Sequence, residues 1–524
     1  MQFTLDRWIR GHARFTPHKI AIRCAGHSLS YAELDRQILR VAAALHGGLG
    51  LRRGDRFAVY AMNCPEMFVL LFAAARLGLI LVPLNWRLAQ PELAQILAGS
   101  APRALFHDDH FAVAAGELAA ACGGFPALSL GLDVAAAPPA GASLAALCAE
   151  ADASLAPALA ALDGGAAIQR LAPRAGGPDD PLLIVYTSGT TGSPKGAVLA
   201  QRALAANVQM SQHAHDMSSA DRVLGMLPLF HVGGLNIQSL PSLALGATLL
   251  LHQRFDPAAV LADLDAERIS LCLVVPTVLE ALLAEPGWEG TRLEALRAFA
   301  IGSTDVPLAL IDAVHARGVP VIQVYGATET GPIASYQRID RAFDTAGSIG
   351  RAGLCCDLRL VDAAGGDVGD GEVGEIWVRG DNVLLGYWDN PAATERYMSD
   401  GWFRSGDLAR RDAEGNYWFT DRLKHVVISG GENIYPAELE RVLRGHPGIA
   451  AVAVVGRADA RWGEVPVAVI ERAEGAAALS REDVLALFDG ELARYKHPRD
   501  VRFVERLPRS ALGKLLIDQV RALV

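Results

Sequence analysis

The most restrictive feature of this chain is an apolar run, Leu182-Leu183-Ile184-Val185, that leads directly into Tyr186-Thr187-Ser188-Gly189-Thr190-Thr191-Gly192-Ser193-Pro194-Lys195-Gly196. A short continuous apolar run bounded by turn residues reads as a buried strand. The glycines that follow let backbone N–H groups close around an anion, the hydroxyls add donors, and Lys195 adds a positive charge. Such a loop suits a polyphosphate, and Thr187, Ser188, Gly189, Thr190, Thr191, Gly192 and Lys195 are its candidate ligands. It lacks the Gly-Lys-Ser/Thr ending of a Walker loop. A flexible linker can share this composition, but linkers rarely follow a buried strand.

The N-terminal region carries the alternation expected around such a strand. Residues 30–45 place Leu34, Ile38, Val41, Ala42 and Leu45 at helical spacing, 56–61 read as a short buried strand, Pro65 restarts a helix, and 79–83 read as another strand. This predicts an α/β domain with an at least partly parallel sheet. Residues 68–84 are the most apolar stretch, yet Arg76 and Gly78 interrupt it and Pro83 ends it. Helix, turn and strand are expected there rather than a membrane span. Residues 111–165 are dominated by alanine with glycine and proline, and are expected to be peripheral and without chemistry.

From about 347 to 420 the texture changes to short segments such as Glu375-Ile376-Trp377-Val378 and Tyr417-Trp418-Phe419 between glycine and aspartate turns, a β-rich subdomain. Gly369-Asp370-Gly371-Glu372-Val373-Gly374 has the spacing of a dinucleotide fingerprint, but it leads into a strand rather than a helix and reads as a β-turn. Helix and strand patterns resume after Asp421. With 524 residues the chain exceeds a single core. The expected architecture is α/β: a large N-terminal domain, 1–423, of layered α/β subdomains plus the β-rich subdomain, and a small α+β C-terminal domain, 424–524.

Composition narrows the partners. Lys and Arg total 48 against 58 Asp and Glu, a net charge of −10, whereas a nucleic-acid binder carries a basic patch. Seven cysteines, odd in number and without a C-x-x-C pair, fit the reduced thiols of a cytoplasmic protein. The start, Met1-Gln2-Phe3-Thr4-Leu5-Asp6-Arg7-Trp8, has early charges and no apolar core of an export signal.

Four further motifs follow the loop in order: Tyr325-Gly326-Ala327-Thr328-Glu329-Thr330; Trp402-Phe403-Arg404-Ser405-Gly406-Asp407; Asp421-Arg422-Leu423-Lys424 through Gly430-Gly431-Glu432-Asn433-Ile434-Tyr435-Pro436; and Pro508-Arg509-Ser510-Ala511-Leu512-Gly513-Lys514. Together with the loop they resemble the adenylate-forming superfamily, which includes acyl-CoA synthetases, firefly luciferase and peptide-synthetase adenylation domains. The resemblance spans nearly the whole chain, and its joint order is specific although single pieces are weak. It implies an ATP- and Mg²⁺-dependent enzyme that converts a carboxylic acid to an acyl-adenylate and passes the acyl group to coenzyme A.

The resemblance also assigns roles. Glu329 holds Mg²⁺, Thr328 contacts the α-phosphate, Tyr325 with Gly326 lies along the adenine, and Asp407 accepts from the ribose with Arg422 assisting. Gly302 and Ser303 open the adenine-side segment, whose sequence Gly302-Ser303-Thr304-Asp305-Val306-Pro307 is less common. Lys514 bridges carboxylate and phosphate oxygens during adenylation. Lys424 is the hinge of a mobile C-terminal domain, whose rotation withdraws Lys514 and brings Gly430 and Gly431 to the thiol path. Alone, Glu329 could be a helix-start acid, Tyr325 a core aromatic, Asp407 a turn residue and Lys514 a surface lysine. Asp421, Ser405 and Ile517 depart from the family's usual glycine, threonine and arginine, and the first is expected to alter hinge geometry.

Amino-acid-activating relatives place an aspartate after a phenylalanine, whereas Pro228-Leu229-Phe230-His231-Val232-Gly233-Gly234 puts His231 there, which disfavours an α-amino acid. His231 either borders the acyl site and the thiol path or is a core histidine. Gly233, Gly234, Leu235, Ile237 and Ile333 predict an apolar pocket. A fatty or aromatic monocarboxylate is the first expectation; a succinylbenzoate-type dicarboxylate, a separate carrier protein as acceptor, and a catalytically silent nucleotide-binding regulator stay open as alternatives. Coenzyme A is favoured because no carrier module follows Lys514. A homodimer is left open.

Overall fold

Ser30 shows how the sequence starts its elements. Its hydroxyl accepts from the Glu33 N–H while the Glu33 carboxylate accepts from the Ser30 N–H, a capping box that satisfies two orphan donors of the helix Tyr31–Ala43. That helix buries Leu34, Ile38, Val41 and Ala42, the spacing read from the sequence, and runs on as a π-helical turn, Ala44–Gly48. The computed structural model describes residues 4–131, 143–160, 173–187, 194–302, 306–429, 432–459, 462–476, 479–489, 491–492, 494–509 and 515–524.

By contact the chain divides into two compact units, Met1–Leu358 with Val378–Phe403, and Arg359–Trp377 with Arg404–Val524. Among the described residues the first unit holds two large sheets. One is ordered Arg351–Ala352, Ser335–Tyr336, Val321–Tyr325, Ala298–Gly302, Leu271–Val274, Arg222–Gly225, Thr248–Leu251, Ile20–Cys24 and His27–Ser30, and it is parallel from Val321–Tyr325 through Ile20–Cys24. The other runs Gly386–Tyr387, Lys195–Ala200, Pro181–Thr187, Ile80–Pro83, Arg56–Tyr60, Leu105–His107 and Ala127–Ser129. Its parallel strands are near-continuous apolar runs because both faces are buried. The apolar stretch at 68–84 is the buried helix Pro65–Leu77, a turn at Gly78 with φ +71°, and the strand Ile80–Pro83. Only 13 residues long, that helix is too short for a bilayer. Among the described residues no helix is long and apolar enough to cross a membrane.

The alanine-rich stretch forms regular elements at the rim of this sheet. It supplies the helix Ala112–Ala121, the edge strand Ala127–Ser129 and the helix Leu144–Ala160. Small side chains blur the apolar periodicity, so the sequence pattern there is silent while the backbone still pairs.

The strand Trp402–Arg411, most of it in the second unit, forms an antiparallel ladder with Tyr417–Arg422, and Gly371 at φ +85° makes the expected turn before the strand Val373–Gly380. A second sheet orders Glu432–Ile434, Val427–Ser429, Gly463–Arg472 and Ile449–Asp459, with Asp500–Val504 parallel to Gly463–Arg472. The helices Pro436–Arg444 and Arg481–Ala486 pack Leu439, Leu443 and Val484 against it. By contact, residues 404–423 group with the C-terminal residues rather than with the first unit.

Candidate active site

Three of the sequence motifs leave one edge of the first unit's parallel sheet. Arg222–Gly225 leads to His231, Ala298–Gly302 ends in Gly302, and Val321–Tyr325 ends in Tyr325. The crevice beyond the carboxyl ends of such strands is where open α/β sheets take their ligands. Glycine is required at two of these exits. A Cβ on Gly302 would lie 2.3 Å from the Val324 carbonyl oxygen, and one on Gly326, at φ +155°, would lie 1.8 Å from that of Pro332. Thr328 and Glu329 follow on a single 3₁₀ turn, Thr328–Thr330.

That turn has few ladder partners, so buried side chains satisfy it. Asn382 donates to the carbonyls of Thr330 (3.1 Å) and Ile333 (2.7 Å), Asn236 donates to Gly331 O (3.0 Å), and Asn207 accepts from the Ile333 N–H (3.1 Å) and donates to Asn236 O. Thr330 itself is buried and bridges Ala327 and Pro332. Thr328 and Glu329 are left half-buried at the surface of this scaffold.

The Glu329 carboxylate accepts a 2.7 Å hydrogen bond from the Tyr387 phenol. Burial, then the Glu329 charge and the hydrogen bond to it, push the phenol well above its ordinary pKa, so Tyr387 keeps its proton and donates it. Lys195, paired with Thr187 across the strands Pro181–Thr187 and Lys195–Ala200, holds its ammonium 4.7 Å from the Tyr397 ring centre and 5.8 Å from that of Tyr387. Mg²⁺ takes one or two carboxylates beside phosphate oxygens, and a hydrogen bond such as that from Tyr387 orients a ligating carboxylate, so Glu329 fits the ion.

His231 stands at the N-cap position of the short helix Val232–Gly234 without a side-chain capping hydrogen bond, and that helix runs into a π-helix, Leu235–Ser239. Its ring lies 4.5 Å from that of Phe230. Of the residues expected to line a pocket, Leu235, Ile237 and Ile333 are buried, Ile237 and Ile333 in one cluster with Met210 and Val324, and Gly234 is packed against Pro228 O. Gly233 differs: a Cβ there meets nothing within 4 Å.

In the second unit Asp407 and Arg422 face each other across the ladder, Oδ1 to Nε 3.3 Å, with Asp407 only 7% exposed. The Ser405 hydroxyl accepts from the Asp407 N–H (3.0 Å) and donates to Ile376 O (2.6 Å), so serine keeps the local hydrogen bonding that a threonine hydroxyl would offer. Asp421 accepts from the Ala437 N–H at 2.9 Å, capping Pro436–Arg444. Lys424 is exposed in a 3₁₀ turn, Leu423–His425, between the strands Tyr417–Arg422 and Val427–Ser429. Ser188, Gly189, Thr190, Thr191, Gly192, Ser303, Gly430, Gly431 and Lys514 lie outside the described residues.

Sequence reasoning missed Tyr387, Tyr397, the asparagine scaffold and the capping role of Asp421. Only the last had a readable signal: a helix entered by Tyr435-Pro436 has no capping side chain of its own and needs an acceptor from elsewhere.

Residues 9–388 match the AMP-binding enzyme family, and residues 438–514 match its C-terminal domain. The chain is an AMP-binding enzyme. It is 47% identical to indoleacetate–CoA ligase of Aromatoleum aromaticum, over 99% of this chain and 98% of that one. It is 40% identical to feruloyl-CoA synthase of an Amycolatopsis species, again over 99% and 98%. The solved structure of o-succinylbenzoate coenzyme A synthetase of Bacillus subtilis with ATP and magnesium superposes with a TM-score of 0.81, at 29% identity and 98% coverage of each chain. The enzyme is an AMP-forming acid–thiol ligase that activates a carboxylic acid with ATP and joins it to coenzyme A.

Proposed function

We propose that this enzyme makes the coenzyme A thioester of an aromatic monocarboxylic acid whose ring is separated from the carboxylate by a short spacer. Gly233 carries the reading: a Cβ there would meet nothing within 4 Å, next to the neighbouring rings of Phe230 and His231. Open space at this position leaves room for an aryl group. The acids named for the two relatives, indoleacetate and ferulate, have this form. A panel of indoleacetate, phenylacetate, ferulate, palmitate and succinylbenzoate, scored for ATP-dependent AMP release with and without coenzyme A, tests it. The aryl acids should give the highest kcat/KM; a lead for palmitate or succinylbenzoate would overturn the reading.

In the first half-reaction a carboxylate oxygen attacks the α-phosphorus and the bond to pyrophosphate breaks. Negative charge from the acid and the triphosphate gathers in one place, so the protein acts by positioning and electrostatics. The loop from Thr187 through Ser188, Gly189, Thr190, Thr191 and Gly192 to Lys195 holds the phosphates, and Thr328 meets the α-phosphate. Gly302, Ser303, Tyr325 and Gly326 flank the adenine, and Asp407 with Arg422 holds the ribose. Glu329 is the protein ligand of Mg²⁺, which when bound supplies positive charge to the phosphate oxygens. Lys514 neutralises the carboxylate and α-phosphate oxygens in this half-reaction only.

In the second half-reaction the thiol sulfur adds to the acyl carbon and gives up its proton to solvent, the bond to AMP breaks, and AMP leaves. Lys424 changes its backbone torsions between the two, as its exposed turn between two strands allows. Residues 424–524 then form the moving domain, with Gly430 and Gly431 serving the thiol path and His231 bordering it. A cytoplasmic location, supported by seven cysteines that are all free, and a homodimer complete this reading. Fractionation and light scattering test those two points.

A further inference from the structure

We propose that Tyr387 is a positioning residue that fixes the Glu329 carboxylate for metal binding and ties it to the phosphate loop. The inference rests on the assignment of Mg²⁺ to Glu329. Its basis is that one short segment holds both the main chain and the side chain of Glu329. Leu384 N–H donates to the Glu329 carbonyl (2.8 Å), and three residues on the Tyr387 hydroxyl donates to its carboxylate (2.7 Å).

The same segment is pinned to the strand that returns from the phosphate loop. Leu385 N–H donates to Val198 O (2.8 Å), Trp388 N–H donates to Gly196 O (2.7 Å), and Tyr387 pairs with Ala197 in the ladder. The Tyr387 N–H is taken by the Thr394 hydroxyl (2.9 Å), and the ring meets Tyr397 edge-on at 5.8 Å. The phenol therefore has little freedom to leave the carboxylate. The rings of Tyr387 and Tyr397 also face the Lys195 ammonium, at 5.8 Å and 4.7 Å from their centres, so the tyrosine that donates to Glu329 also attracts the loop's one lysine. A carboxylate offers about four acceptor sites, so the Tyr387 hydrogen bond can orient Glu329 while it also ligates a cation, and such outer partners typically carry about 10- to 100-fold of metal affinity.

Tyr387→Phe removes only the hydroxyl and keeps the ring packing. The test measures Mn²⁺ binding by electron paramagnetic resonance in the presence of a non-hydrolysable ATP analogue, beside nucleotide binding in EDTA and the melting temperature. Tyr387→Phe should weaken Mn²⁺ binding at least about tenfold, with nucleotide binding in EDTA and melting temperature unchanged. Unchanged Mn²⁺ affinity in Tyr387→Phe, with Glu329→Gln binding weakly, overturns the role of Tyr387 alone. Unchanged affinity in Glu329→Gln overturns the metal assignment and the inference with it. A fall in melting temperature that accounts for lost binding of every ligand also overturns it, since a structural tyrosine would do the same.

Discussion

Asp407→Ala removes a carboxylate that is only 10% exposed along its side chain and sits 3.3 Å from the Arg422 guanidinium. Arg422 draws on it in the protein and, in our account, so do the ribose hydroxyls of ATP. Arg422 is 38% exposed, so water can replace its partner and the fold should lose no more than about 1 kcal/mol. The ribose has no such replacement. A charge-assisted hydrogen bond is worth roughly 1.5–3 kcal/mol, which is about a 10- to 150-fold weaker Kd for ATP. Asp407→Asn, which keeps the shape and one acceptor, should fall between wild type and alanine. Isothermal titration with a non-hydrolysable ATP analogue, and separately with the acid, reads both. Unchanged ATP affinity with weakened acid binding would refute the ribose assignment.

Lys514→Ala should slow adenylate formation about 10²- to 10³-fold while a supplied acyl-adenylate is still converted to thioester; equal losses in both half-reactions would contradict its single role. Lys424→Pro, which locks φ and removes an amide donor, should preserve pyrophosphate release and block thioester formation. Asp421→Ala should destabilise the helix Pro436–Arg444 by about 0.5–2 kcal/mol, read as faster amide exchange there. His215 is buried and neutral, with burial pushing its pKa down from 6.5 to about 4. The stability it contributes is present above pH 6.5 and is lost as pH falls toward 4; this shift corresponds to about 3 kcal/mol. The urea midpoint of His215→Gln should therefore fall less than that of wild type between those pH values.

What could be read from the sequence was what is local in it. The helix at Tyr31–Ala43, the strand Arg56–Tyr60 and the loop-bearing strand Pro181–Thr187 announce themselves through apolar spacing and caps a few residues away. Gly302, Tyr325 and Glu329 were named from motifs, and the parallel sheet brings the first two to neighbouring strand ends. The supports of these residues were not legible. Tyr387 reaches Glu329 across 58 residues of sequence, and Asn236 reaches Gly331 across 95. No periodicity encodes such pairs, because they exist only once the strands have aligned. The Asp421 cap is another such pair: it holds a helix that begins fifteen residues later at Pro436, and by contact residues 404–423 group with the C-terminal residues.

The central claim is that the chain activates an acid on AMP before coenzyme A acts. Its most direct measurement is acid-dependent exchange of labelled pyrophosphate into ATP without coenzyme A, followed by mass spectrometry once coenzyme A is added. The account predicts exchange with indoleacetate alone, then indoleacetyl-CoA and AMP in equal amounts. Formation of ADP, or exchange that appears only when coenzyme A is present, would contradict it.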